Sequence, residues 1–414
     1  MKSQLTKMLG ALALVAFAVV SCNKEEIGVE QLAAPQVSSK LITYDSEVIP
    51  NQYIVVLKPD ATKIDFRAMP NYEESQLAMK SEAISLMESH SLAAQKVKLT
   101  YSASIKGFMA ELTEEEAVEL AADPKVNYIE QDRIVRIGGG PPFGGGGSTT
   151  CQYEDSGETP WGIQVVNGGA TYTGSSVAWI IDTGIDLDHP DLNVDASSGF
   201  VASDMKGQDA GSPDDGNGHG THCAGTVAAK ADGAGVVGVA AGATVIPVKV
   251  LDKRGSGSFS GVIEGVDYVG ANGQAGDVAN MSLGGGFSQS VNDAVVNASS
   301  GGVWFAVAAG NDGADANNYS PASANGPYVR TISANDCNLA FASFSNYANP
   351  PVDFCAPGVD IKSTWLDGGY NTISGTSMAA PHAAGVLLAS GGNPSTCGTV
   401  SGDPDGNADP IICN

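Results

Sequence analysis

Three stretches set the reading of this chain: A-W-I-I-D-T-G at 178–184, G-N-G-H-G-T-H-C-A-G-T at 216–226 and S-G-T-S-M-A-A-P-H at 374–382. They supply Asp182, His219 and Ser377, in that order. An aspartate that orients an imidazole, an imidazole that takes a proton and a hydroxyl that attacks a carbonyl are the parts of acyl transfer. The order Asp…His…Ser is one of three unrelated chain orders that build this geometry. Ser377 precedes the apolar run M-A-A-P-H-A-A-G-V-L-L-A, so it is expected at a helix N-terminus, where the dipole and free N–H groups favour developing negative charge. His219 follows the breaker G-N-G and opens another helix. Asn311, in A-A-G-N at 308–311, offers an amide that could form an oxyanion hole with the backbone N–H of Ser377. His222 stands three residues beyond His219 and reads as structural. D-T-G also marks aspartic proteases, but those need two such motifs or a dimer, and His219 and Ser377 would then be unexplained.

Outward from these motifs, apolar runs alternate with helical patterns. V-A-W-I-I at 177–181, T-V-I-P-V-K-V-L at 244–251, V-A-N-M-S-L at 278–283 and V-W-F-A-V-A-A at 303–309 read as strands. Residues 261–270 and 290–298 read as helices. Continuous apolar strands flanked by helices mean a parallel sheet covered on both faces. Ligands sit beyond the carboxyl ends of such strands, and Asp182 and Asn311 fall there.

Five motifs in one order, H-G-T-H-C-A-G-T-V, N-M-S-L-G-G at 280–285, A-A-G-N-D at 308–312, S-F-S-N-Y at 343–347 and S-G-T-S-M-A-A-P-H, make residues 160–392 resemble a subtilase, most of all the proteinase K branch. The resemblance implies a serine endopeptidase of the α/β class, a subtilisin-like parallel sheet with helices on both faces. It implies that Gly255, Ser256 and Gly257 on one side, and Ser282, Leu283 and Gly284 on the other, sandwich an extended peptide by strand addition. Ala308, Ala309 and Gly310 would line the first specificity pocket. Their small, uncharged walls suggest broad specificity with an apolar or aromatic preference. Phe259 falls where the family places an aromatic rim for a more distant subsite. No cofactor is expected for catalysis. A structural calcium ion is implied at Asp353 with the carbonyls of Pro327 and Val329.

The first 150 residues divide differently. Lys2 and Lys7 precede an apolar run from Leu9 to Val20, too short to span a bilayer and typical of an export signal. It ends in V-V-S-C, which resembles a bacterial lipobox with Cys22 as the lipidated first residue. Residues 1–21 are thus read as a lipoprotein signal peptide and 22–50 as a tether. Residues 51–137 carry strand patterns at 52–58, 105–112 and 126–132, a helical pattern at 73–90, and a capping box, Thr113 with Glu116, opening a second helix. The expected order β-α-β-β-α-β is ferredoxin-like and resembles the subtilase propeptide, an intramolecular chaperone and inhibitor. Residues 138–159 form a Gly-rich linker that should contain the maturation cut, between Ile137 and Cys151. Residues 393–414 read as an acidic, Cys-containing tail. Within it, D-P-D-G-N-A-D at 403–409 is either a fragment of a calcium loop or part of a disordered acidic segment.

The net charge of −25 is uneven: residues 151–414 hold 7 basic and 27 acidic side chains. Phosphates would be repelled, which argues against nucleic acid as a partner. The expected partners are peptide substrates and the chain's own propeptide, with the precursor held at the bacterial envelope by lipid, the mature enzyme released and the protein monomeric. Of seven cysteines, Cys22 goes to lipid and Cys223 matches the family's buried thiol. The favoured pairings are Cys337 with Cys355 and Cys397 with Cys413, leaving Cys151 alone. Two rival functions fit the fold: a catalytically dead lipoprotein that binds peptides, and a processing enzyme with one dedicated partner. The first conflicts with four intact catalytic positions. The second lacks acidic pocket residues for basic side chains.

Overall fold

The computed structural model describes residues 40–44, 47–138 and 151–414. Cys22 and most of the Gly-rich linker lie outside the described residues.

Residues 48–136 run β1 (Val48–Leu57), α1 (Tyr72–Ser89), β2 (Val97–Tyr101), β3 (Gly107–Glu111), α2 (Glu114–Ala121) and β4 (Val126–Arg136). The sheet order is β4-β1-β3-β2, with Leu41–Ile42 added beside β4. The capping box is formed: Glu116 N–H donates to Thr113 Oγ1 at 3.2 Å, and Thr113 N–H to Glu116 Oε2 at 2.8 Å. Two-residue periodicity divides β1 between two cores. Tyr53, Val55 and Leu57 pack under α1 and α2. Ile54 and Val56 face the other way, into a core shared with the C-terminal region.

That region contains β5 (Ala178–Asp182), α3 (His219–Ala228), β6 (Thr244–Lys249), α4 (Phe259–Asn272), β7 (Val278–Met281), α5 (Gln289–Ser299), β8 (Trp304–Ala308), β9 (Val329–Asn335), β10 (Val352–Pro357), α6 (Thr376–Ala389), β11 (Ser395–Thr399) and β12 (Pro410–Cys413). The large sheet is ordered β11-β12-β10-β9-β8-β7-β5-β6, extended beyond β6 by short strands. Every pair from β12 to β6 is parallel; β11 and β12 form an antiparallel hairpin. Alternate residues feed two cores. Ala178, Ile180 and Ala306 pack with α3 and α6. Trp179, Ile181, Phe305 and Val307 pack with α4 and α5. With both faces covered, the strands read as unbroken apolar runs. Helix α6 is buried from Thr376 to Leu388, as a helix apolar on all sides must be.

The last 20 residues are not a disordered tail. β12 pairs with β10 through Ile411 and Cys355, and Ile411, Ile412 and Cys413 are buried. Asp409 is held by Asn349 Nδ2 at 2.7 Å and by the Ser333 hydroxyl. Asp403 accepts the loop's own Asp405 and Asp409 N–H groups at 3.3 Å each. These carboxylates therefore close a turn within the hairpin.

The cysteine pairing also differs from expectation. Cys397–Cys413 is formed, but Cys337 bonds Cys151, and Cys355 is free. Cys355 sits in the middle of β10, wholly buried between β9 and β12. Cys337 lies past the end of β9, where Tyr153 N–H donates to its carbonyl. The pair favoured from sequence is separated by the sheet's own geometry, and the bridge instead ties the later part of the expected linker, at Cys151, to the domain.

β4 joins the two parts. Its last residues pair antiparallel with Ser256–Ser258: Ile134 with Ser258, Val135 with Gly257 and Arg136 with Ser256. Asp132 meets the N-terminus of α4, accepting from Ser260 N–H at 3.1 Å and Ser260 Oγ at 2.6 Å. Burial pushes its carboxyl up to about 7 despite these donors. Glu130 meets the N-terminus of α5, accepting from Ser290 N–H at 2.7 Å and Gln289 N–H at 3.2 Å. In the reverse direction, Asp267 of α4 accepts the N–H groups of Ser102, Ala103 and Ser104 at 2.6–2.9 Å.

A structural hairpin at the C-terminus has a measurable consequence. Ile411→Ala removes a wholly buried side chain from β12 and is expected to lower stability by roughly 2–5 kcal/mol. Urea unfolding in a Ser377→Ala background, which avoids self-digestion, reads it. An unchanged midpoint would show that the hairpin is not part of the core.

Candidate active site

Each candidate catalytic side chain sits where an element ends. Asp182 closes β5 and is fully buried. Its neighbour Thr183 donates its N–H to Asp182 Oδ1 at 2.7 Å. The turn that follows is held from below by Lys249, a buried lysine whose Nζ donates to the Thr183 carbonyl and pairs with Asp209 at 3.2 Å. Gly220 lets α3 approach this turn; a Cβ there would stand 2.1 Å from the Gly184 carbonyl oxygen. His219, the first residue of α3, thereby lies against Asp182. Its Nδ1–H donates to the carboxylate, at 2.8 Å to Oδ1 and 3.0 Å to Oδ2. Burial opposes the imidazolium, but the Asp182 charge and hydrogen bond outweigh it, and the His219 pKa is raised.

Asp215 organises the approach to His219. It accepts Asn217 N–H, Gly218 N–H and Thr221 N–H at 2.8–3.0 Å and the Thr221 hydroxyl at 2.7 Å. His222 and His382 are removed from the chemistry. Nε2–H of His222 donates to the Ile361 carbonyl at 2.9 Å, and Nδ1–H of His382 to the Met378 carbonyl at 2.7 Å. Burial lowers their pKa values to about 3 and about 4, so both are neutral.

Ser377 occupies the first turn of α6. Pro381 lies four residues on and has no N–H, so the Ser377 carbonyl lacks its intrahelical donor. Ser282 Oγ supplies one at 2.7 Å, and Cys223 Sγ lies at 3.5 Å. The Ser377 hydroxyl itself donates to the Ser282 carbonyl at 3.2 Å. Ser282 is therefore a support beneath the serine, with its side chain fully buried. Asn311 Oδ1 accepts Thr376 N–H at 2.8 Å and Thr376 Oγ1–H at 2.9 Å. That fixes the amide so that Nδ2 faces the cleft. Gly375, at φ +155°, gives the tight entry into α6.

The cleft is occupied by the chain itself. β4 continues past Arg136, which bridges to Gly284 on one side. Ile137 N–H donates to the Gly255 carbonyl at 2.9 Å on the other. Asn311 Nδ2 then donates to the Gly138 carbonyl at 3.3 Å. A cavity of about 270 Å³ opens beside Ile137 and Gly138, lined by Leu283, Gly284, Ala308, Ala309 and Gly310. Tyr319 and Ala322 also line it; both lie outside the motifs quoted above. Phe259 is not on an open rim here, being buried in one cluster with Val135 and Leu283.

The implied calcium set does not fit a cation as it stands. Asp353 Oδ2 accepts Thr331 N–H at 2.9 Å, and the Val329 carbonyl accepts from the Arg330 guanidinium at 2.6 Å. A positive group already holds the oxygen that calcium would need, and Arg330 also packs over the Trp304 ring at 4.9 Å. Asp182, His219 and Cys223 bring three ligand-type atoms within 4.8 Å of one another. Calcium takes six to eight oxygens, and this group is already bonded within itself.

Comparison with known proteins agrees with this geometry. Residues 173–394 match the subtilase family model, and residues 52–138 match peptidase inhibitor I9. The chain is 39% identical over 356 residues to the cuticle-degrading protease of Metarhizium anisopliae, covering 82% of this chain and 79% of that protein. It is 39% identical over 375 residues to proteinase R of Parengyodontium album, covering 86% and 83% respectively. A solved cold adapted subtilisin-like serine proteinase superposes with a TM-score of 0.53 at 36% identity, covering 62% of this chain and 98% of that one. A parallel sheet ending in Asp182, an inhibitor-type domain ahead of it and relatives that are proteases by name lead to one assignment: the chain belongs to the subtilase family, a subtilisin-like serine protease preceded by its propeptide domain.

Proposed function

We propose that Ser377, His219 and Asp182 hydrolyse peptide bonds through an acyl-enzyme, with Asn311 and the Ser377 backbone N–H holding the oxyanion. The Asp182–His219 hydrogen bond carries this reading, supported by the oriented Asn311 amide, which lines one cavity with Ser377. Ser377 Oγ turns from the Ser282 carbonyl to His219 Nε2 and gives it the proton as it attacks. Asp182 holds the tautomer that leaves Nε2 free. Substrates bind as an added strand between residues 255–257 and 282–284, as β4 does here. The small walls at Ala308, Ala309 and Gly310 favour apolar and aromatic side chains with broad tolerance.

The precursor reading extends this. Cys22 lies upstream of the inhibitory domain, and Asp182, His219 and Ser377 lie downstream of the linker. A lipid on Cys22 would hold the precursor at the envelope, and a linker cut would separate the anchor from residues 151–414. Among the described residues, no helix is long and apolar enough to cross a membrane. The enzyme is proposed to act as a monomer outside the cell.

Ser377→Ala is expected to lower turnover about 10⁶-fold, as removal of the triad serine does in subtilisin. The same variant should accumulate as uncut precursor in the membrane fraction, while active enzyme appears in the soluble fraction. Blotting fractions for the C-terminal domain reads both. Normal processing of the variant when purified alone would refute autocatalysis, and active enzyme confined to membranes would refute release.

The reaction needs neutral His219 as the base. A raised pKa moves that requirement upward, so kcat/KM should climb with pH through an apparent pKa above the ordinary 6.5. Activity already at its plateau at pH 6 would contradict the Asp182 coupling.

Calcium at Asp353 would have to displace the Arg330 guanidinium from the Val329 carbonyl. Thermal unfolding of the Ser377→Ala precursor is therefore expected to be the same in calcium and in chelator. A rise of several degrees with calcium, abolished by Asp353→Asn, would show that Arg330 yields the site.

A further inference from the structure

Resting on the acyl-transfer reading above, we infer that the maturation cut is made at the peptide bond following Gly138, and that main-chain register selects it. Three contacts fix the register. Arg136 bridges to Gly284, Ile137 N–H reaches the Gly255 carbonyl at 2.9 Å, and the Gly138 carbonyl accepts from Asn311 Nδ2 at 3.3 Å. The pairing of Ile134, Val135 and Arg136 with Ser258, Gly257 and Ser256 continues the same ladder without a break. Of the chain's carbonyls, that of Gly138 therefore lies at the oxyanion donor, beside the Ser377 turn.

Side-chain preference points to a different bond. The pocket lined by Ala308, Ala309 and Gly310 suits an apolar or aromatic group, and the stretch between Ile137 and Cys151 contains one aromatic residue, Phe143. Glycine at 138 leaves that pocket unfilled, and about 270 Å³ stays open beside it. A Cβ at Gly138 would stand 2.7 Å from Asn311 Nδ2, so this pose belongs to glycine. Extended-strand recognition relies on backbone hydrogen bonds for affinity. Here the strand is also anchored by the capping carboxylates Glu130 and Asp132 upstream, so its position does not depend on a side chain at 138.

Ser377 Oγ bonds to the Gly138 carbonyl carbon while its proton passes to His219 Nε2. The oxyanion faces Asn311 Nδ2. The bond from the Gly138 carbonyl carbon to the next nitrogen breaks, and His219 returns the proton to that amine. Water then attacks the ester, loses a proton through His219, and leaves Gly138 as a carboxylate with Ser377 restored. The cut N-terminal fragment still pairs with the cleft through residues 134–137. The other fragment keeps residue 151 in place through the Cys151–Cys337 bridge.

The test is a time course of the full-length chain followed by intact-mass spectrometry of the N-terminal fragment. The earliest fragment is expected to end at Gly138. An earliest fragment ending at Phe143, or anywhere else, overturns the assignment whether or not any variant folds. Gly138→Val should slow the first cut on the order of 100-fold, the scale of an ångström misplacement of a reacting carbonyl. Phe143→Gly should leave its rate and end point unchanged, and a slowed cut in that variant counts against the register. Ser377→Ala separates the two claims. Fragments ending at Gly138 that still form in that variant refute the acyl-transfer reading, whereas a serine-dependent cut elsewhere refutes only the bond.

Discussion

The fold turns on one strand that belongs to two sheets. Val126–Arg136 pairs with β1 at its start and with Ser256–Ser258 at its end, and the next two residues lie in the cleft. The ordering cost of a bound peptide is thereby met within the propeptide's own sheet. Upstream, Ile54, Val56, Leu99, Tyr101 and Met109 share a core with α4 and α5. Glu130 and Asp132 reach the free N–H groups of those two helices. Placing the helix N-termini, the strand and the cleft are thus parts of one interaction.

A second constraint acts under Ser377. Helix α6 must be apolar to cross the core, yet Pro381 deprives the Ser377 carbonyl of its helical partner. An unpaired buried carbonyl would be costly. The Ser282 hydroxyl answers it, with the Cys223 thiol close by, and both come from other elements. These contacts tie the serine's backbone to the segment that follows β7 and to the helix that carries His219. The position of Cys223 also brings its thiol near Asp182 Oδ2, at 3.8 Å. Burial raises its pKa, so it remains a neutral thiol beside that carboxylate.

Much of this was legible because local chemistry and tertiary structure agree. The strands at 177–181, 244–251, 278–283 and 303–309 were readable from apolar continuity, since both sheet faces are covered. The capping box at Thr113 was readable because it is a local motif. Asp182 and His219 are legible through motifs that the fold brings into contact, and Asn311 and Ser377 through motifs that line one cavity. What escaped depends on distant pairing. V-K-L-T-Y at 97–101 is a short strand whose partner lies beyond a turn. The C-terminal hairpin is polar in its turn and gains its order from β10, through Ile411. The Cys151–Cys337 bridge spans 186 residues, and nothing local distinguishes it from Cys337–Cys355. The surroundings of the implied calcium set were hidden for a similar reason. Asp353, Pro327 and Val329 are all present, but the guanidinium beside them is visible only in three dimensions.

The strong negative charge of the C-terminal region takes on meaning in this light. With 7 basic residues against 27 acidic ones, ion pairing cannot neutralise most of its carboxylates. Backbone N–H groups and hydroxyls stabilise several of them by hydrogen bonds instead. Asp191 accepts from Lys230 N–H, Val236 N–H and the Tyr370 hydroxyl. Asp277 accepts from Val177 N–H, Gln274 N–H and Trp179 Nε1–H. Asp215 does the same at the entry to α3, and Asp267 for a loop of the propeptide. Such bonds are fixed by loop geometry and do not require a long, flexible cation. Those of Asp215 hold the turn that opens the helix of His219. An acidic chain can in this way fix its loops with few cations, because its own backbone supplies the donors for its carboxylates.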